Sequence, residues 1–225
     1  MHNKRNDNTG LWEALRGLNI KSLSLQSIVN HVESFSQSLS SLTRLEYLSI
    51  QVNKCSDVWE ALRGLNIKRL KLIPSILNHV ESFSHSLSSL TRLQSLSIKV
   101  YKCPSLLKVL CGLPIKSLTL SCWMDCLKAN DGESLSQSLS SLTKPESLSI
   151  NVNYIRSHDL WEDLSGLNIK SLTLSWWMDY LNVKHVESCS QSLSSLKKLS
   201  IKVYDGPGLW KIFHGLNITS LTLSY

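Results

Sequence analysis

Apolar residues recur along this chain in one short rhythm. Ile20, Leu23 and Leu25 stand at the spacing LxxLxL inside "GLNIKSLSL", residues 17–25. The phrase returns as "GLNIKRLKL" at 64–72, "GLPIKSLTL" at 112–120, "GLNIKSLTL" at 166–174 and "GLNITSLTL" at 215–223. A second family lies between these copies: "LEYLSIQVN" 45–53, "LQSLSIKVY" 93–101, "PESLSINVN" 145–153 and "LKKLSIKVY" 196–204. It keeps the same spacing, except that Pro145 fills the first slot of its third member. Five plus four copies give nine units, with central leucines at 23, 48, 70, 96, 118, 148, 172, 199 and 221. The steps are 25, 22, 26, 22, 30, 24, 27 and 22 residues, a solenoid period.

Alternation over xLxL places the leucines on one face of a short strand and the serines, threonines and lysines on the other. One such strand buries little. Stacked in parallel, each unit covers its neighbour's apolar edge, so a continuous core forms only when several units join.

Return segments of two lengths follow the strands. The longer, "NHVESFSQSLSSLTRL" at 30–45, is echoed at 78–93, 130–142 and 184–196, and Val32, Phe35, Leu39 and Leu42 form a helical stripe. Asn30 with Glu33, Asn78 with Glu81 and Asn130 with Glu133 have the spacing of a capping box; the fourth copy has Lys184 instead. The many serines are weak helix formers, so packing must hold these helices. The shorter segment is "LWEALRGL" at 11–18, echoed at 58–65, 106–113, 160–167 and 209–216. Asp57 with Glu60 and Asp159 with Glu162 again have capping-box spacing. Gly17, Gly64, Gly112, Gly166 and Gly215 sit where a left-handed residue ends each short helix before its strand.

The expected fold is therefore α/β: a leucine-rich-repeat solenoid, or horseshoe. About nine parallel strands line its concave face, and helices of two alternating lengths cover its convex face. Residues 1–10 read as a polar leader and 11–225 as the array. The chain resembles solenoids of the ribonuclease-inhibitor type and is most similar to the repeat arrays of NOD-like receptors, particularly the self-similar arrays of invertebrate members. That resemblance implies a non-catalytic, ligand-sensing or autoinhibitory region of an intracellular innate-immune receptor. The sequence departs from the pattern in places. The asparagine of the ninth slot is present as Asn53 and Asn153 but is Tyr101 and Tyr204 in the sister copies, and the shorter units hold Ile28, Ser75, Trp123 and Trp177 there. No GxxxxGK[ST] occurs, so the nucleotide-binding switch of such receptors is missing from this stretch. Ending on "SLTLSY" with no capping unit, the sequence reads as a fragment or a short paralogue. An uncapped last strand favours self-association through that end.

Charge sharpens the picture. Strand slots two, three, five and seven are expected to line the concavity, and they hold Lys21, Lys68, Arg69, Lys71, Lys99, Lys116, Lys170, Lys197, Lys198 and Lys202. Against these ten cations stand Glu46 and Glu146, an excess of +8; the whole chain carries +7. Lys68, Arg69, Lys71, Lys99 and Lys116 form the middle of this basic surface, which suits an acidic protein or other acidic ligand. Solubility alone is the plainer reading of the same lysines. Nucleic acid is a further candidate, although Tyr47 is the one aromatic in these slots, and stacking platforms normally accompany such binding. A protein inhibitor working through the same hollow is a third.

Other residues add less. Trp12, Trp59, Trp161 and Trp210 share one slot of the short helices and read as packing between units. Trp123 and the pair Trp176–Trp177 follow strands, where a loop contact is conceivable. His31, His79 and His185 recur at helix starts without converging partners, and no serine has a nucleophile-elbow context. No enzyme activity, cofactor or metal is expected. Six cysteines fall at unmatched places and read as reduced thiols. With no export signal and no apolar run long enough to span a bilayer, the expected location is cytoplasmic, away from membranes.

Overall fold

The computed structural model describes residues 9–26, 32–52, 57–74, 80–100, 109–123, 135–142, 145–153, 164, 167–177, 195–203, 213 and 216–224. Among the described residues nine strands make one sheet: β1 (Ser22–Leu25), β2 (Tyr47–Val52), β3 (Arg69–Pro74), β4 (Ser95–Val100), β5 (Ser117–Trp123), β6 (Ser147–Asn153), β7 (Ser171–Trp177), β8 (Lys198–Val203) and β9 (Ser220–Ser224). They lie in chain order and every neighbouring pair is parallel. This is an open leucine-rich-repeat horseshoe, the result of one unit being laid on the next.

The leucine rhythm sets the register. Leu23 pairs with Leu48, Leu48 with Leu70, Leu70 with Leu96, and so on through Leu118, Leu148, Leu172 and Leu199 to Leu221. A slip of one residue would turn every leucine to the wrong face, so burial fixes the pairing. From Leu48 to Leu199 these side chains are 0–3% exposed, and Ile50, Leu72, Ile98, Leu120, Ile150, Leu174 and Ile201 form a second buried row. On the outermost strand, Leu221 is 43% exposed, because a unit is covered only where another lies beside it.

Helices back this sheet: α1 (Thr9–Leu15), α2 (Val32–Ser41), α3 (Val80–Ser88) and α4 (Leu135–Ser140). Between β2 and β3 the return is a 3₁₀ helix, Asp57–Leu62, where the capping-box spacing of Asp57 and Glu60 and the stop at Gly64 suggest a short α-helix. The step here is a short one, and a 3₁₀ helix advances about 2.0 Å per residue against about 1.5 Å for an α-helix. Trp12 packs on Phe35 with ring centroids 4.9 Å apart, and Trp59 on Phe83 at 4.5 Å. These tryptophans thus join each short helix to the following long one; Trp161 and Trp210 lie outside the described residues. The partners read as capping boxes, Asn30, Asn78, Asn130 and Asp159, also lie outside them.

The serines of the long helices have a structural role that their low helix propensity hid. Gly17, Gly64 and Gly112 adopt φ of 71°, 71° and 73°. Their N–H groups donate to the hydroxyls of Ser41, Ser89 and Ser141 at 3.0, 3.1 and 3.0 Å. Each hydroxyl in turn donates to a carbonyl three residues back, that of Ser38, Ser86 or Ser138, at 2.6–2.7 Å. Ser38 is fully buried and places its own hydroxyl 2.5 Å from the Trp12 carbonyl. One unit's helix therefore satisfies the end of its neighbour's, where backbone groups would otherwise lack partners.

Candidate functional site

The ten cations expected on one surface fall on two. Arg69, Lys71, Lys99, Lys198 and Lys202 occupy outward strand positions, opposite in parity to the buried leucines, and all five are exposed. Lys21, Lys68, Lys116, Lys170 and Lys197 instead precede their strands. They form a margin along the strands' N-terminal ends, joined by backbone bonds such as Lys68 N–H to the Glu46 carbonyl at 2.9 Å. The slot rule had merged the two because slot two lies one residue from slot three. Outward positions within the sheet begin at the first residue of each strand.

On that face the charge is unevenly spread. Arg69 pairs in register with Tyr47 and Ser95, and Lys71 with Ser49 and Ser97. Lys99 lies two residues beyond Ser97 on the adjacent strand, facing Ser121. At about 3.3 Å per residue and 4.8 Å per strand, Arg69, Lys71 and Lys99 form a diagonal with steps of about 7–8 Å. The guanidinium of Arg69 sits 5.4 Å from the Tyr47 ring centroid, a cation–π contact that orients both groups. Outward positions of β5–β7 then carry Ser117, Thr119, Ser121, Ser147, Ser149, Asn151, Ser171, Thr173 and Ser175, a neutral hydroxyl-rich stretch. Charge returns on β8 with Lys198 and Lys202. Among the described concave positions there is no carboxylate, so the face carries +5.

The margin is mixed in sign. Lys68 Nζ lies 3.2 Å from Glu46 Oε1, and Lys116 Nζ 3.8 Å from Glu146 Oε1. The hydrogen bond from Lys68, reinforced by its charge and by those of Lys21 and Arg92, holds the Glu46 carboxyl below the ordinary carboxylate range. Its small contribution to stability is thus present above that range and is lost as pH falls through the lowered value. Around Glu46 the margin opens into a notch of about 230 Å³, lined by Lys21, Thr43, Arg44, Leu45, Asn66, Lys68 and Arg92. Arg44 and Arg92 belong to the repeated "LTRL" turns and had no place in the slot pattern. They reach Lys21 and Lys68 only through stacking of the units.

Trp123 pairs in register with Asn153, and Asn153 with Trp177, while Trp176 pairs with Val152. Trp123 and Trp177 thus stand two strands apart on one row, and they end strands instead of lying in loops. Cys111 is an exposed, reduced cysteine whose Sγ lies 3.9 Å from the Ser138 hydroxyl. Among the described residues no group of His, Cys, Asp and Glu could hold a metal ion, and no helix is long and apolar enough to cross a membrane. No protein-family model matches the chain, and no curated protein matches it.

Proposed function

We propose that this horseshoe is a non-catalytic recognition module that binds an acidic protein partner on its concave face. The leading contacts are Arg69, Lys71 and Lys99, with Tyr47 beside them. The supporting observation is a concave surface with five cations and no described carboxylate, held on a rigid ladder of buried leucines. Complementary charge of this kind accelerates encounter and selects partners. The repeat pattern suggests a biological setting: the ligand-sensing repeat region of a cytoplasmic NOD-like innate-immune receptor, or a related short paralogue.

Titration with an oligoglutamate peptide and with single-stranded RNA at several salt concentrations tests this reading. Oligoglutamate is expected to bind saturably and RNA only weakly. Tighter binding of RNA, with log K falling steeply as log salt rises, would replace the protein reading with a nucleic-acid one. Absence of saturable binding to either probe at low salt would leave the lysines a solubilising role alone.

A further inference from the structure

We propose that the margin notch is a binding site for a phosphate dianion, separate from the concave face. Four cations, Lys21, Arg44, Lys68 and Arg92, surround one carboxylate, Glu46, giving a local charge of +3. Glu46 is engaged by Lys68 at 3.2 Å, so it neutralises one cation and leaves three. Arg92 is held in place by donating from Nη1 to Asn66 Oδ1 at 3.3 Å. The notch measures about 230 Å³, well above the roughly 10–15 Å³ that holds one water on the same measure, so it admits a tetrahedral oxyanion.

Ligand class follows from the residue types. Two arginine forks present paired N–H donors that match the oxygens of a phosphate. A carboxylate would leave more of the positive charge unbalanced. Leu45, 3% exposed, borders the notch, while Lys21, Arg44 and Arg92 are exposed around it and would meet an anion in contact with solvent. The cations come from four successive units, so the site exists only in the stacked array. Free inorganic phosphate and a phosphorylated side chain of a protein share this chemistry.

Calorimetry on the full chain at fixed ionic strength tests the site with three probes: inorganic phosphate, a phosphoserine peptide and its unphosphorylated twin. Phosphate is expected to bind saturably with Kd on the order of 1 mM, and Arg44→Gln/Arg92→Gln to weaken it about tenfold or more. Glu46→Gln should tighten it by removing the competing carboxylate. Lys71→Gln/Lys99→Gln, on the concave face, should leave it unchanged. Preference for the phosphopeptide over its twin assigns the site to a phosphoprotein; phosphate binding without that preference assigns it to the free anion. No saturation up to about 50 mM phosphate, or equal weakening by the concave and notch variants, would overturn the proposal. Oligoglutamate binding would survive that failure, so the two readings fail separately.

Discussion

Reversing three concave cations, in Arg69→Glu/Lys71→Glu/Lys99→Glu, is expected to abolish binding of oligoglutamate. The face would pass from +5 to −1, since two cations would remain against three new carboxylates. Each reversal replaces an attraction with a repulsion, so a loss of at least about a hundredfold in affinity follows. The effect should shrink as salt approaches the point where the Debye length, about 8 Å at physiological ionic strength, matches the spacing of the patch. Stability should change little, because all three side chains are exposed and the described contact at risk is the Arg69–Tyr47 stacking. Surface substitutions of this kind stay within about 0.5 kcal/mol each. Circular dichroism melts that match the wild type would show that any binding loss is electrostatic. Retained affinity in a folded triple variant would remove Arg69, Lys71 and Lys99 from the contact.

The largest effect on stability is expected at Trp59. Its side chain is 2% exposed and lies against Phe83, and its Nε1–H finds no hydrogen-bond partner among the described residues. Trp59→Ala leaves a large cavity between the 3₁₀ helix and α3, at a cost of about 3–5 kcal/mol. Trp59→Phe should be far milder. It loses volume, but it also removes a buried unpaired donor whose desolvation costs about 1–3 kcal/mol. Because each unit touches only its neighbours, Trp59→Ala should loosen β2–β4 before β6–β8. Urea melts with hydrogen exchange resolved by segment would check this. Equal loss of protection along the whole sheet would show that the array behaves as one cooperative unit.

These outcomes rest on features of unequal legibility. Strand positions and register were written in the leucines: the central residues of all nine units pair in one unbroken row. Gly17, Gly64 and Gly112 were legible too, because a left-handed stop is a local backbone requirement. The serine caps were not. Ser89 bonds to Gly64 from 25 residues away, and propensity describes what a serine does to its own helix, not to the next. The division of the cations was hidden for a related reason. Lys68 and Arg69 are adjacent in sequence, yet one borders the strand ends and the other rises from the sheet. Arg44 and Arg92 fall outside the strand slots, and only stacking of the units brings them to one notch with Lys21.

The most direct test of the recognition surface is zero-length carbodiimide crosslinking of oligoglutamate to the wild-type chain at physiological salt, mapped by mass spectrometry. Crosslinks are predicted at Lys71 and Lys99 ahead of Lys21, Lys116 and Lys170. Uniform labelling of all five lysines, or labelling restricted to the margin, would contradict the concave face as the site of binding.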